Sequence, residues 1–280
     1  MALVTALALL PERPAGTRIA NIAYGDLSSR QRLDLYLPDA PAPHRLVVFV
    51  HGGGFSSGHK RAANPRAVIN AGIARGYAVA SVNYRRSREA LFPAAVEDVI
   101  AALRFLDTEA HTYGLRPGAV AVWGASAGGN LAAMAALSDD TALAAAVIWF
   151  APIRFDQMDS QFAELGIEPM LGPTGGPNSP ESRYLGVAVG TPEAANLVQQ
   201  SSPLSYITDD DMPVLIQHGS GDRNVPILQS ETFARSLAKV LGTEVVVFDV
   251  FDGAGHGGDA FLAASNMDRI FSFLDAAMAP

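Results

Sequence analysis

Cysteine is missing altogether from this chain of 280 residues. Its absence excludes a disulfide framework, a thiolate metal site and a cysteine nucleophile. A chain of this length does not need such cross-links, because a single domain of its size buries roughly three quarters of the surface that the unfolded chain exposes. The sequence therefore predicts a large hydrophobic core and no redox chemistry on sulfur.

Positive charge is scarce: 20 lysine and arginine residues stand against 28 aspartate and glutamate residues, which gives a net charge of −8. The longest basic run, Arg85-Arg86-Ser87-Arg88, is short. Proteins that bind DNA or RNA gain most of their affinity from lysine and arginine contacts with phosphates. The charge balance therefore argues against a nucleic-acid partner.

Long hydrophobic runs are also absent. The apolar stretch at residues 1–10 is about half of the roughly 20 residues that a helix needs to span a bilayer. No lysine or arginine precedes it, and no clear small-x-small cleavage site follows it. We therefore expect a frayed or docking terminal helix, no membrane span and a cytoplasmic protein, with secretion left open. The oligomeric state is open too, with a homodimer as one option.

Short apolar, β-branched runs alternate with longer helical patterns along the chain, which is typical of a parallel sheet with helices on both faces. The polar stretch 25–31 is too short for a parallel crossover, so the first two strands should form an antiparallel hairpin at one sheet edge. The pattern predicts strands over 19–24, 33–37, 46–50, 78–84, 120–123, 145–149, 214–218 and 244–250, and helices over 65–75, 93–111, 128–137, 226–241 and 259–277.

Residues 153–205 interrupt this alternation. The segment has no strong periodicity and is rich in proline and glycine between positions 171 and 180. A long segment of this kind inside a compact domain is usually a binding insertion rather than a plain connection. We predict that residues 1–280 form one domain, with a cap over a site supplied by residues 153–205.

A glycine-flanked serine lies between a predicted strand and a predicted helix, in Gly124-Ala125-Ser126-Ala127-Gly128. Small residues two positions before and after the serine allow the strand and the helix to approach across a sharp turn, as in the G-x-S-x-G nucleophile elbow. The alternative is a glycine-rich turn with an incidental serine. The strand-to-helix context favours Ser126 as a nucleophile.

A second glycine-rich loop, His51-Gly52-Gly53-Gly54-Phe55, directly follows the predicted strand 46–50. Consecutive glycines allow backbone N–H groups to turn toward an oxyanion, as acyl transfer requires. A flexible turn and a phosphate-binding loop are the alternatives, but neither common phosphate motif occurs here in a strand–loop–helix context. An oxyanion loop is therefore the favoured interpretation.

An acid and a histidine lie in the loops after two later predicted strands, at Asp222 and His256. The carboxyl ends of parallel strands meet at one sheet edge, where open sheets place functional groups. Asp222 could instead cap the following helix, whereas His256 is flanked by small residues and is the best candidate base among six histidines. In chain order the candidates run serine, acid, histidine, unlike the orders in the chymotrypsin and subtilisin folds.

With these motifs, over about residues 25–273, the chain resembles the α/β-hydrolase superfamily. Within it, the chain is similar to the hormone-sensitive-lipase-like carboxylesterases and their acetyl- and feruloyl-esterase relatives. The most specific part of the resemblance is the pair His-Gly-Gly-Gly and Gly-Ala-Ser-Ala-Gly-Gly. The chain departs from that group in leaving little room for long N-terminal cap helices, because its first predicted strand begins near Ile19.

The resemblance implies an eight-stranded, mostly parallel sheet with helices on both faces. It also implies a role for each candidate residue: Ser126 as nucleophile, His256 as general base, Asp222 as orienting acid, and the N–H groups of Gly53, Gly54 and Ala127 as an oxyanion hole, with Gly52 as an alternative donor.

The expected function is therefore that of a serine carboxylesterase, which hydrolyses short-chain esters through an acyl-enzyme intermediate and needs no metal or organic cofactor. A formamide or amide hydrolase of the kynurenine-formamidase type and a non-catalytic small-ligand receptor are the alternatives. A nicotinamide-dependent oxidoreductase is disfavoured by the context of the glycine loops. Large apolar residues near the elbow are candidates for the substrate pocket, with plain core packing as the alternative for each: Phe55, Trp149, Phe150, Met158, Val225 and Phe261.

Overall fold

A computed structural model describes residues 16–279, and the helix expected over residues 1–10 lies outside this range. Its centre is a single eight-stranded sheet. The strands are β1 (Gly16–Ala23), β2 (Arg32–Pro38), β3 (His44–Val50), β4 (Ala78–Val82), β5 (Leu115–Ala125), β6 (Ala145–Trp149), β7 (Val214–Gly219) and β8 (Val246–Phe251).

The strand order in the sheet is β1-β2-β4-β3-β5-β6-β7-β8. Strand β2 pairs antiparallel with both β1 and β4, and every other neighbouring pair is parallel. The predicted antiparallel hairpin at one edge is therefore confirmed. Among the described residues, no helix combines the length and the apolar character that a membrane crossing requires.

The helices follow the predicted alternation closely. They are α1 (Ala63–Ile73), α2 (Ala94–Thr108), α3 (Ala127–Ala136), α4 (Met158–Leu165), α5 (Pro180–Leu185), α6 (Ala195–Gln200), α7 (Leu228–Leu241), α8 (Asp259–Leu262) and α9 (Ala264–Ala277). The single helix predicted over 259–277 is wrong in one respect, because Ala263 is extended (φ −58°, ψ 143°) and separates α8 from α9. This break accompanies the packing of Phe261 against Trp149 and Phe251 in the core.

Alternate side chains of the central strands point into two separate layers of the core. On β3, Val48 packs in the layer that contains α2, α3 and α7, whereas Phe49 packs in the layer that contains α1 and α9. Helices therefore cover both faces of the sheet. This double coverage explains why the central strands are apolar at nearly every position and show no polar alternation.

The topology brings the predicted functional loops together. Strands β3, β5, β7 and β8 run parallel, so their carboxyl ends lie at the same edge of the sheet. The loops that follow these ends contain His51–Gly54, Ser126, Asp222 and His256. Residues 153–205 follow β6 and contain α4, α5 and α6 with short 3-10 turns between them; we call them the insertion.

Candidate active site

Ser126 occupies the tight turn between β5 and α3. Its backbone lies at φ 57° and ψ −128°, a region that L-residues rarely adopt and that costs conformational energy. Hydrogen bonds hold it there, from the Ser126 N–H to the Trp149 carbonyl (2.9 Å) and from the Gly129 N–H to the Ser126 carbonyl (2.8 Å). A Cβ on Gly124 would overlap the Gly128 carbonyl, and a Cβ on Gly128 would overlap the Val50 carbonyl. The turn therefore requires both glycines.

Ser126, His256 and Asp222 form one hydrogen-bonded chain. The Nε2 atom of His256 lies 2.8 Å from Ser126 Oγ, and its Nδ1 atom lies 2.7 Å from Asp222 Oδ2. Because a carboxylate only accepts hydrogen bonds, Nδ1 carries the hydrogen and Nε2 of the neutral ring is free to accept from the serine hydroxyl. His256 Nε2 is therefore positioned to accept a proton from Ser126 Oγ.

Asp222 is fully buried and accepts hydrogen bonds at both carboxylate oxygens. Its Oδ1 atom accepts from the N–H groups of Asn224 (2.8 Å) and Val225 (3.0 Å). Burial by itself raises the pKa of Asp222, but hydrogen bonds from His218 and His256 outweigh burial and hold that pKa well below its usual range. Asp222 is therefore a permanent anion next to the imidazole.

A second histidine, His218, also lies beside Asp222. Its Nε2 atom lies 3.0 Å from the Val225 carbonyl and 3.2 Å from Asp222 Oδ2, and its Nδ1 atom lies 2.6 Å from Ser230 Oγ. Both neighbours of Nε2 are acceptors, so Nε2 carries the hydrogen, which it donates to the Val225 carbonyl while lying beside the Asp222 carboxylate. The only sequence signal for this contact is the position of His218 at a strand end, four residues before Asp222.

The loop after β3 is shaped by its glycines. Gly53 and Gly54 have φ values of 127° and 55°, and a Cβ on Gly53 would overlap the Ser57 carbonyl. The N–H groups of Gly53, Gly54 and Ala127 donate to no acceptor within residues 16–279. All three residues line the same cavity as Ser126 and His256. Three residues with unpaired backbone donors therefore line the same cavity as the serine.

His51 supports this loop from the interior. Its ring is buried, stacks on Tyr84 with a centroid distance of 4.5 Å, and has Nδ1 2.8 Å from the Gly52 carbonyl. Burial lowers the pKa of His51 to about 4. The ring is therefore neutral at physiological pH, and its role is to hold the loop rather than to transfer protons.

The cavity above Ser126 has a volume of about 430 Å³ and is closed on one side by the insertion, through Leu171, Pro180 and Glu181. Glu181 is buried, and burial raises its pKa to about 7. No motif in the sequence singles out Glu181, because its environment is created only when α5 packs over the glycine loop. Among residues 16–279, it is the one acidic residue that lines this cavity.

The predicted pocket residues divide into two groups. Phe150 and Val225 line the cavity, and the Phe150 ring packs 4.6 Å from the ring of His256. The others lie in the interior and do not line the cavity: Phe55 stacks on Tyr184, Trp149 packs against Trp123, Met158 packs against Phe162, and Phe261 packs against Trp149. Large aromatic side chains fill the core because they bury the most apolar surface.

Metal binding has no candidate site in the described part of the chain, where no three histidine, aspartate or glutamate side chains cluster as ligands. The chemistry available at the cavity is that of a serine, a histidine and unpaired backbone donors.

The sheet topology and the strand–serine–helix turn define an α/β-hydrolase fold, which confirms the predicted fold class. A model of the BD-FAE family matches residues 33–237, so the chain belongs to the BD-FAE family. Among solved structures, a truncated form of a carbohydrate esterase from gut microbiota has a TM-score of 0.83 at 24% identity, with 96% of this chain and 99% of that chain covered.

Curated relatives are named as esterases. The esterase LipQ of Mycobacterium tuberculosis is 29% identical over 272 residues, which cover 93% of this chain and 61% of that protein. The esterase LipC of the same organism is 27% identical over 261 residues, which cover 85% and 59% respectively. The chain therefore spans about three fifths of the length of these relatives.

Proposed function

We propose that this protein is a serine carboxylesterase that hydrolyses short-chain carboxylic esters through an acyl-enzyme intermediate. The observation that carries the proposal is the hydrogen-bonded chain from Ser126 Oγ through His256 to Asp222, with distances of 2.8 and 2.7 Å. The esterase names of LipQ and LipC support ester hydrolysis.

In the first step, His256 Nε2 takes the proton of Ser126 as Oγ attacks the ester carbonyl. The imidazolium that forms carries a positive charge beside the buried Asp222 carboxylate, which stabilises it and keeps the ring in the productive orientation. The carbonyl oxygen becomes an oxyanion among the N–H groups of Gly53, Gly54 and Ala127. Each such donor typically lowers the barrier by about 2.7–4 kcal/mol.

Acylation is completed when His256 returns the proton to the leaving alcohol, which departs and leaves Ser126 acylated. Water then enters, His256 takes its proton, and hydroxide attacks the acyl group. As the second tetrahedral intermediate collapses, the bond from the acyl carbon to Ser126 Oγ breaks and His256 returns its proton to Oγ, which releases the carboxylic acid and restores both residues. No step requires a metal or an organic cofactor, so the only partner that we propose is a small-molecule ester.

The size of the cavity supports short acyl groups. Its volume of about 430 Å³ lies toward the small end of the roughly 300–1,000 Å³ range of ligand pockets. Leu171 and Pro180 of the insertion form part of its wall, and Pro180 lies against Gly54. We propose that the insertion is a cap within a single domain and that it limits the length of the acyl chain.

The alternatives are less well supported. A formamide hydrolase could use the same serine, histidine and acid, but the curated relatives reported above carry esterase names. A non-catalytic receptor has no need for a complete proton-transfer chain, yet all three residues are hydrogen-bonded to one another. Ester hydrolysis therefore remains the proposed reaction.

The test compares the wild type with Ser126→Ala on p-nitrophenyl acetate and butyrate, before and after treatment with a serine-reactive phosphonate. Ser160→Ala is the matched control, because Ser160 is an exposed serine of α4. We expect kcat to fall by about 10⁴-fold or more in Ser126→Ala and to stay unchanged in the control, with the label found on Ser126 by mass spectrometry. Equal turnover by Ser126→Ala and the wild type would refute the proposal.

A further inference from the structure

Asp34, the buried aspartate of β2, is surrounded by cationic side chains near the antiparallel edge of the sheet. Asp34 Oδ1 lies 2.6 Å from Lys60 Nζ, while its Oδ2 lies 2.8 Å from Arg61 Nε and 2.8 Å from Arg18 Nη2. The N–H of Asn21 also donates to Oδ1 at 2.8 Å. One carboxylate therefore serves three cations, and it has little capacity left to neutralise further positive charge.

A separate cavity of about 330 Å³ opens beside this cluster; we call it the hairpin-edge cavity. It shares no lining residue with the cavity above Ser126. Half of its eight lining residues are cationic, namely Arg30, Arg32, Lys60 and Arg61, and the other four include Ser29 and Asn83. No acidic side chain of the described residues lines it.

The local charge balance is positive although the chain as a whole carries −8. Asp34 is shared by three cations, and Glu89 lies 3.5 Å from Arg30. Arg32 forms no ion pair within residues 16–279, and its Nη1 donates to the carbonyls of Gln31 and Gly25 at 3.0 and 3.3 Å. Five cations therefore face two carboxylates. The pKa of neighbouring His59 is lowered by burial and by Lys60, Arg61 and Arg86, as expected where positive charge accumulates.

Several donors in the cavity have no partner in the described part of the chain. Lys60 Nζ donates to Asp34 and Asn21 and is almost fully buried, so it contributes positive charge beside the cavity rather than a free donor. Arg32 uses only Nη1, which leaves its Nε and Nη2 edge unused. That edge presents two parallel N–H groups, the arrangement that binds two oxygens of one phosphate or carboxylate.

We propose that the hairpin-edge cavity binds a small phosphate dianion, either inorganic phosphate or a phosphate monoester, through the guanidinium of Arg32, with the surrounding lysine and arginine charges favouring the anion. A dianion matches the local excess of positive charge better than a monocarboxylate does. The cavity volume of about 330 Å³ suits a small ligand rather than a nucleotide or a polymer. This site is independent of the proposed ester hydrolysis.

The first measurement is calorimetric titration of the intact protein with sodium phosphate near pH 7.5, against sodium chloride at equal ionic strength. We expect one saturable phosphate site and no saturable heat with chloride. Titration with glycerol phosphate separates the two sources, because tighter binding than that of inorganic phosphate would identify a monoester as the preferred ligand. Equal affinity would identify phosphate itself.

Arg32→Gln and Ser29→Asp test the location of the site. Loss of one charged donor pair should weaken phosphate binding about tenfold. Ser29 is an exposed residue of the cavity wall, so Ser29→Asp should abolish binding by placing a negative charge in the cavity without removing an arginine. The matched controls are Ser29→Asn and the exposed Arg235→Gln, which should bind like the wild type.

Thermal melting in chloride checks that each variant is folded, and Ser29→Asp alone decides the location if Arg32→Gln is unstable. The proposal is wrong if the wild type shows no saturable binding at millimolar phosphate. It is also wrong if Ser29→Asp binds phosphate as tightly as Ser29→Asn.

Discussion

Two aspartates with fully buried side chains, Asp222 and Asp34, lie in different parts of the sheet and are surrounded by different partners. For both, burial alone raises the pKa, and hydrogen bonds outweigh it and hold the pKa well below the usual range. Asp222 is held by two histidines and two backbone N–H groups, whereas Asp34 is held by lysine and arginine side chains.

The partner rather than the carboxylate decides what each site can do. An imidazole gains and loses a proton close to neutral pH, so an anion beside it can stabilise a transient positive charge. Arginine and lysine remain protonated, so the Asp34 cluster cannot exchange protons and serves to hold β1, β2 and the segment before α1 together. We therefore propose a catalytic role for the buried, ionised Asp222 and a structural role for the equally buried Asp34 at the other end of the sheet.

The largest expected effect is that of Asp222→Asn on turnover. The amide presents the wrong hydrogen-bonding pattern to His256 Nδ1, so the ring loses the tautomer that accepts from Ser126, and we expect kcat for p-nitrophenyl acetate to fall by about 10⁴-fold. Stopped-flow or steady-state assays measure this change. Asp209→Asn, at an exposed position, is the control. An unchanged kcat in Asp222→Asn would show that Asp222 has no role in turnover, and the contrast with Asp34 would fail.

Asp34→Asn should act on stability instead. Removing this carboxylate leaves the buried Lys60 without its counter-ion, and breaking a buried ion pair in this way costs about 3–5 kcal/mol in the free energy of unfolding. Chemical denaturation measures the loss. Asp140→Asn breaks an exposed pair with Arg104 and should cost less than about 1 kcal/mol. Equal losses in both variants would show that Asp34 has no special structural role.

The free energy of unfolding of Glu181→Gln should depend less on pH than that of the wild type. Burial raises the pKa of Glu181 from 4.5 to about 7, so the folded state holds the proton more tightly than the unfolded state. The carboxyl therefore costs no stability below about pH 4.5, and it lowers the free energy of unfolding progressively as the pH rises toward 7.

Because glutamine does not ionise, the unfolding free energy of Glu181→Gln relative to the wild type should increase by about 2–3 kcal/mol between pH 4.5 and 8. Denaturation curves at several pH values measure this difference. Glu164→Gln, in an exposed part of α4, should show no comparable trend. A pH-independent difference for Glu181→Gln would contradict the assigned environment.

The smallest effect is expected from His218→Gln. His218 Nε2 donates to the Val225 carbonyl and lies 3.2 Å from Asp222 Oδ2 without lining the cavity above Ser126, so we expect it to act as a positioning residue. Loss of this donor should lower kcat about tenfold and leave KM nearly unchanged. The exposed His111→Gln is the control. A rise in KM at constant kcat would assign His218 to substrate binding instead.

The parts of the fold that depend on local sequence were predictable. The glycines at 124 and 128 are required by the close approach of β5 and α3, and the apolar strands reflect a sheet covered on both faces. The break at Ala263 was not predictable, because residues 259–277 have an acceptable helical pattern and the break depends on how Phe261 packs against distant aromatic rings.

The sequence by itself determined the alternation of strands and helices, the strained serine turn and the chain order of serine, acid and histidine. These features follow from backbone sterics and from contacts between neighbouring residues, so short stretches of sequence are enough to predict them. Only the tertiary structure decided that His218 lies beside Asp222, that Glu181 is buried above the glycine loop and that three cations share Asp34. Burial and electrostatic interactions depend on groups that are far apart in the chain, and no local pattern records them.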